Sequence, residues 1–543
     1  MKLLRVLLLS LSLGVAEGKT PAARPNVIVV LVDDMGFSDI APYGGEIDTP
    51  NLARLAQEGL RFTQFYNSAR CCPTRASLMT GLHPHQVGIG HMTTEGGAGM
   101  NPNLPAAYQG NLNDSCVTLA QVAKSAGYAT FMAGKWHLSG KDPADWPLQR
   151  GFDRYYGCLH GATHYFTPYG ERIMYAGNQP DPQPKSTTQR PFYTTDAFAD
   201  HAISFLREHQ ESERKKDPFF LYLAFTAPHW PLHAHEAELK KYRGRYQLGW
   251  DRLRSERYQR QLATGLIPNA WPLTARDPSV PAWDLLDSAM QDACEHRMAA
   301  YAAMIDRVDQ KLGDLITAVK ASGQWENTLL MFMADNGACA EGSTLGLGHP
   351  VKERRAGVPL MDISYGTCWA NASNTPYRRY KHFTHEGGAN TPFIAHWPQR
   401  IQAGRDWYRS PAQLIDIMAT VVDVTGAEYP TARGAHQILP MEGISLLPAF
   451  DGKLLERDKP IFLEHEGNAS VRDGDWKLVG AGVSPAGGIQ KKHWELYQLR
   501  DDGTEMRNLA ATHPDKVQVL SQQWQDWAKR VGVVPKKRDN RKK

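Results

Sequence analysis

Cysteine is scarce in this sequence. There are seven in 543 residues, at 71, 72, 116, 158, 294, 339 and 368, and no two form a CxxC pair. That argues against a disulfide-stapled scaffold and against a cysteine-ligated structural zinc. Charge of one sign is lacking as well. Lys plus Arg number 61 against 57 Asp plus Glu, a net charge of +4. Part of that excess sits in the final KKRDNRKK, which reads as a solvated tail, so a basic nucleic-acid face finds no support. Internal repeats and low-complexity tracts are missing too. Beyond the N-terminus no apolar run is long enough to cross a bilayer.

What is present fits a folded enzyme. The chain is 42% hydrophobic, 22% charged and 10% aromatic, enough apolar material for a sizeable core and contrary to global disorder. Its length suits a large domain plus a smaller one. MKLLRVLLLSLSLGVAEG begins with Lys2 and Arg5, runs apolar from Leu7 to Ala16 and ends in small residues. It reads as a secretory signal over 1–18, and the mature protein is expected to be exported, to the periplasm or outside the cell.

NVIVVLVDD is continuously apolar rather than alternating, as in a strand buried on both faces of a parallel sheet. TPNLARLAQEGL then reads as a helix capped by Thr49, with Pro50 in its first turn and Gly59 as its stop. TLAQVAKSAG before YATFMAGKWHL, and MIDRVDQKLGDLITAVKASG before NTLLMFMADNG, repeat helix then strand. DPFFLYLAFTAPHWP is one more buried strand. The expected fold is α/β, a large, mostly parallel sheet sandwiched by helices. That domain is placed at 24–440, with a polar, Arg-rich, solvent-facing helical excursion at about 235–290. PIFLEHEG, ASVRDGDWKLVG and HWELYQLRDDG read as an antiparallel meander in a small subdomain at 441–530. A basic tail over 531–543 follows.

Polar residues gather where these strands end. Asp33 and Asp34 close one, Asp335 and Asn336 another; Lys135 and His137 follow a third, and His229 a fourth. Ligands of open parallel sheets bind at the carboxyl ends of strands, so these distant residues can converge. Each piece alone is more often a turn, a cap or a surface group, and it is their joint placement that carries weight. Asp33, Asp34, Asp335 and Asn336 make an all-oxygen set, suited to a hard dication such as Ca²⁺ or Mg²⁺ rather than zinc.

The segment ARCCPTRASLMTG places Cys71 and Cys72 side by side, and vicinal cysteines can close only a strained ring. CCPTR also contains Cys-x-Pro-x-Arg starting at Cys71. With GKWHL, APHWPLH, ADNG and YKHFTHEGG in order, the chain resembles the type I sulfatases, the formylglycine-dependent members of the alkaline phosphatase superfamily. The resemblance runs from DDMG to ELYQLRDDGTEMRNLA. It implies that Cys71 is oxidised to formylglycine and that Cys72 is the variable residue beside it. Were Cys72 the nucleophile, Pro73 would fall at the wrong motif position. Thr74 stands where many members have serine.

The same resemblance implies that Asp33, Asp34, Asp335 and Asn336, with the residue-71 oxygen, hold the metal, Ca²⁺ being the family's commoner ion and Mg²⁺ the other candidate. Arg75 and Lys135 match groups on the formylglycine and metal side; His137, His229 and Lys381 match groups around the sulfate and the leaving oxygen. The implied activity is sulfate-ester hydrolysis, arylsulfatase-like, with a sulfated small molecule or carbohydrate as substrate. The implied partner is a formylglycine-generating or anaerobic sulfatase-maturing enzyme. Two rivals stand beside this reading. A phosphonate monoester or phosphodiester hydrolase would share the fold, and a non-catalytic sulfated-glycan-binding protein would keep the pocket. For the outer pocket the candidates are His160, His164, Tyr165, His233 and His235, with Glu464, His465, Arg472 and Trp476 at its rim.

Overall fold

A computed structural model of the chain describes residues 24–92, 104–139, 142–185, 191–348, 363–482 and 494–534. The segment 1–18, expected to be a secretory signal, and the tail beyond 534 lie outside the described residues. The strand Asn26–Asp33 is buried along its whole length. Ile28, Val30 and Val32 enter the core on one face, while Val27, Val29 and Leu31 enter the core on the other. Two apolar faces at a period of two give the unbroken hydrophobic run seen in the sequence.

Asn26–Asp33 lies within a nine-stranded sheet. Thr328–Ala334 and Phe219–Pro228 flank it in parallel, and Ala129–Lys135 and then Arg154–Cys158 extend the parallel run on the Phe219–Pro228 side. Antiparallel strands finish both edges: Phe393–His396 and Leu60–Phe62 on one side, Met174–Ala176 and Gln179–Asp181 on the other. The helices Pro50–Glu58, Thr194–Glu211 and Ser288–Ala321 pack on one face. Cys71–Thr80, Leu119–Ser125 and Asp416–Thr425 pack on the other. The fold is the expected mixed, mostly parallel sheet between helix layers. Among the described residues no helix is long and apolar enough to cross a membrane.

Three local expectations need correction. Thr49 stands at the N-cap of Pro50–Glu58, but its side chain makes no cap. Its hydroxyl instead accepts from the Ala41 amide at 2.9 Å. Asp309, on the long helix Ser288–Ala321, takes over the capping role and accepts from the Asn51 and Leu52 amides at 3.0 and 2.8 Å. A carboxylate brought in by tertiary structure thus satisfies the first-turn donors that a local hydroxyl was expected to reach.

The Arg-rich excursion is not solvent-facing throughout. Within its helix Gly249–Ala263, Arg257 and Gln261 are fully buried. Arg257 donates to Asp39 Oδ1 at 2.7 Å and to both Glu46 oxygens at 2.8 Å. Gln261 donates to the Tyr43 and Thr375 carbonyls. This helix therefore clamps the loop that follows Asp33 and Asp34. Polar composition hid this because burial of arginine depends on partners far away in sequence.

The C-terminal meander is present as Ile461–His465, Asn468–Asp473, Trp476–Gly480 and Trp494–Gln498, paired antiparallel in that order. Residues 441–460 do not share in it; Leu446, Ala449 and Phe450 pack into the core of the large sheet. The helix Pro514–Val531 covers the meander through Val517, Leu520, Trp524 and Trp527. Two buried cations tie the sheets together. Lys477 Nζ reaches Glu386 at 2.6 Å and Glu505 at 2.9 Å, and Arg472 donates to the Tyr66 hydroxyl at 2.5 Å.

Candidate active site

Residues that the sequence spreads from 33 to 381 meet at the carboxyl end of the parallel strands. Asp33 is the last residue of its strand, and Asp34 follows with φ 68°. The neighbouring strand ends at Ala334, delivering Asp335 and Asn336 beside them. Asp335 Oδ1 accepts from the Asp34 amide at 3.2 Å, and Asn336 Nδ2 donates to Asp34 Oδ1 at 2.7 Å. All four side chains are buried.

Three cations face the three carboxylates. Lys135 Nζ donates to Asp33 Oδ2 at 2.5 Å. Arg75 Nη2 and Nε both reach Asp335 Oδ2, at 2.8 and 3.2 Å, while its Nη1 donates to the Lys135 carbonyl at 3.0 Å. Lys381 Nζ lies 2.9 Å from Asp34 Oδ2. Even so, the charges are not settled by protein alone. Burial and the nearby Asp33 charge push the Asp335 carboxyl up to about 8 against the pull of Arg75 and Lys135. Burial likewise raises Asp33 despite Lys135 and Arg75. For Asp34, burial is opposed by Lys381 and His229, which prevail and hold the carboxyl below its usual range.

Two oxygens in this cluster, Asp33 Oδ1 and Asn336 Oδ1, are buried and accept no hydrogen bond from the protein. Buried acceptors are seldom left so. An oxygen-only set with orphaned atoms, and carboxyls that burial drives toward protonation, fits a hard dication.

Cys71 is the first residue of the buried helix Cys71–Thr80. The loop before it is fixed by the Ser68 amide, which donates to Thr74 Oγ1 at 2.9 Å, and by Ala69 at φ 57°. All seven cysteines are unbridged, Cys71 and Cys72 included. A hydrogen bond from Cys72, against the effect of burial and with help from Lys135 and His137, holds the Cys71 thiol well below its usual range. Its sulfur, the Cys72 sulfur and a His137 ring nitrogen lie within 4.8 Å of one another. His137 takes φ 58°, and burial pushes its imidazole down to about 4. Its ring lies over Gly161, where a Cβ would come 2.6 Å from Cε1.

His229 is oriented by its own chain: Nδ1 lies 2.6 Å from the Trp230 carbonyl, which leaves Nε2 3.5 Å from Asp34 Oδ2. His229 and Lys381 therefore share one carboxylate. Every residue singled out from the sequence as catalytic or metal-ligating thus lies in this one pocket.

The outer candidates fare differently. Tyr165 is buried and donates to the Thr226 and His229 carbonyls at 2.8 Å, supporting His229 from behind. His233 is buried against His164, ring centres 4.3 Å apart, and His235 sits 3.5 Å from Asp196. His160 is partly buried. Of the rim set, Glu464 pairs with His85 at 2.9 Å, Trp476 lies against His513, and Arg472 joins the tie between sheets.

Two residues were missed. Glu341 joins Arg70 Nη1 at 2.7 Å and the Trp230 indole at 3.1 Å, and lies 3.7 Å from Lys381 Nζ. Its side chain is 36% exposed, so it faces the mouth of the pocket. Nothing in ACAEGS marks Glu341, whereas Arg70 stood next to the motif.

Comparison with known proteins adds to this geometry. A family model described as Sulfatase matches residues 25–427. A Schizosaccharomyces pombe protein named as an uncharacterized sulfatase is 35% identical over 94% of each chain. An arylsulfatase of Klebsiella aerogenes is 35% identical over 78% of this chain and 91% of its own. Among solved structures, Ps i-CgsB in complex with k-i-k-neocarrahexaose superposes with a TM-score of 0.67, covering 93% of both chains at 24% identity, a likeness of fold.

Proposed function

Because the chain belongs to the sulfatase family and is a sulfuric ester hydrolase, we propose that Cys71, converted to formylglycine, is its nucleophile, beside a divalent cation held by Asp33, Asp34, Asp335 and Asn336. The observation that carries the reading is one buried pocket in which Cys71 lies at a helix start, with Lys135, His137 and the four oxygen donors around it. The donor set suits Ca²⁺, with Mg²⁺ as the other candidate. When bound, the cation would neutralise sulfate oxygens and favour ionisation of the attacking hydroxyl. A hydrated aldehyde at residue 71 supplies one hydroxyl to attack sulfur and a second through which the sulfate can later leave.

The chain's own groups do the rest. Lys135 and Arg75, anchored on Asp33 and Asp335, place fixed positive charge beside residue 71 and against the developing charge. Lys381 Nζ already carries a proton to give the departing alcohol; His229 Nε2 can give one only in the imidazolium form, since Nδ1 faces a carbonyl. His137, held uncharged by burial, is the base next to residue 71 that would take the proton of the second hydroxyl.

For substrate, we propose a sulfated carbohydrate, supported by the oligosaccharide complex of a protein with this fold. The apolar run over 7–16 supports export to the periplasm or beyond, and a formylglycine-generating or anaerobic sulfatase-maturing enzyme is the implied partner.

Mass spectrometry of the peptide spanning 71–75, from a host with a maturing enzyme, tests this directly. The expected outcome is loss of the Cys71 thiol and gain of an aldehyde or its hydrate. An intact Cys71 in a protein that turns over an aryl sulfate would refute the nucleophile. Rates on matched aryl sulfate and aryl phosphonate esters are expected to favour sulfate.

Gly161 offers a second test. Gly161→Ala should displace the His137 ring and lower kcat on the order of 10–100-fold, because small misplacements of a catalytic group are costly. Little change in melting temperature is expected. Unchanged kcat would remove His137 from the reaction.

A further inference from the structure

Bordering the catalytic pocket, three segments meet in a built junction. His382 follows Lys381; its amide donates to the Ala69 carbonyl at 2.7 Å and its carbonyl accepts from Asn468 Nδ2 at 2.9 Å. His465 ends the strand Ile461–His465, and Glu466 with Gly467 forms the two-residue turn into Asn468–Asp473. Both turn residues have positive φ, 48° and 91°. Such a turn ordinarily recruits Asn, Asp or Gly, so a glutamate here is held against its backbone preference. His382 is also left-handed, φ 87°.

His382, His465 and Glu466 each bring one ligand atom within 4.8 Å of the others. His465 is completely buried, and neither of its ring nitrogens has a hydrogen-bond partner. A buried imidazole with both nitrogens unsatisfied calls for an explanation that packing does not supply. Its ring stands edge-on to His382, centres 5.0 Å apart at 89°. Glu464 is engaged with His85 and the Gly467 amide, so Glu466 is the carboxylate of the cluster. Arg70, the nearby cation, is paired with Glu341.

We propose that His382, His465 and Glu466 form a second metal site, which takes one transition-metal dication, Zn²⁺ in particular. Two imidazoles and a carboxylate are a nitrogen–oxygen set that Zn²⁺ accepts tetrahedrally, at about 2.0–2.2 Å, with a fourth position open. The four-oxygen cluster at Asp33 suits a harder ion, so the two sites select different metals. The bound ion would pin the C-terminal hairpin to the segment carrying Lys381. This inference does not depend on the hydrolytic reading, and its test reads metal rather than turnover.

The full chain, stripped by chelator and then saturated with Ca²⁺, is titrated with Zn²⁺ by calorimetry and with Co²⁺ by visible absorption. In a Cys71→Ala/Cys72→Ala background, which removes the thiols that lie within 4.8 Å of a His137 ring nitrogen and could themselves take the ion, one saturable Zn²⁺ equivalent is expected, with a Co²⁺ spectrum of tetrahedral intensity. Glu466→Gln and His382→Gln, whose side chains are only partly buried, should each weaken binding on the order of 100-fold. His465→Gln should do the same, with circular dichroism to verify folding. Absence of saturable Zn²⁺ binding in that background overturns the proposal, as does binding there that survives Glu466→Gln and His382→Gln. If those variants raise KM for a sulfated sugar and the chain binds no Zn²⁺, the cluster is a substrate contact and the metal site falls.

Discussion

Cys71→Ala is expected to lower kcat/KM for an aryl sulfate by at least about 10⁴-fold, the scale on which loss of a covalent nucleophile is felt, while the protein stays folded. Cys71 is the first residue of a helix whose ten residues are all buried, and alanine keeps that helix with only a sulfur-sized void. Cys72→Ala provides the contrast. Cys72 lies beside Cys71 without following the motif's spacing, so activity within about tenfold of the parent is expected. Cys71→Ser sharpens the result, because a serine hydroxyl can attack but carries no second hydroxyl for release. A burst of product followed by a stall, with a sulfate-sized mass increase on the intact protein, is the expected signature. Full activity of Cys71→Ala alongside an inactive Cys72→Ala would reassign the nucleophile.

Arg75→Met should be the most damaging single change to the fold of the site. The guanidinium is fully buried, touches Asp335 through two nitrogens and lies 3.6 Å from Asp33. Removing it strands buried carboxylates, and breaking such a pair costs about 3–5 kcal/mol. Arg75→Lys is expected to recover little, since one ammonium cannot serve Asp335 and the Lys135 carbonyl in the fork geometry seen here. Urea denaturation of the parent, Arg75→Met and the Arg75→Met/Asp335→Asn pair checks this. The double variant should regain part of the loss because its stranded charge is gone. A single variant that unfolds within about 1 kcal/mol of the parent would mean the cluster is better solvated than its burial indicates.

Much of this was legible beforehand, for identifiable reasons. Strand ends such as VLVDD and FMADN announce themselves because a continuous apolar run must stop where the polar edge of the sheet begins. Once the strands are parallel neighbours, Asp33 and Asp335 can hardly fail to meet. What stayed hidden depends on side chains that cross long stretches of sequence. Glu341 gains its place from Arg70 and Trp230. Arg257 is buried only because Asp39 and Glu46 receive it, and the helix expected to be capped by Thr49 is capped by Asp309. For histidines near the pocket the sequence left packing and substrate contact side by side. Of those in HWPLH and HGATHYF, His229 reaches Asp34, while His164 packs against His233 and accepts from the Phe166 and Thr167 amides.

The burial of Cys71 also sets a clock. Its side chain is closed off in the finished fold, and the strand ending at Ala334, which brings Asp335 and Asn336 to the pocket, lies about 260 residues further along the chain, counting from 71 to 334. At roughly 5–20 residues per second of synthesis, that separation holds the CCPTR segment open for tens of seconds. Under the proposed conversion of Cys71, a maturing enzyme would have that interval in which to reach the thiol, extended by the time that the proposed export would keep the chain unfolded. On that reading, any change that hastens folding of the central sheet would shorten the interval and raise the share of molecules that finish with an unconverted thiol.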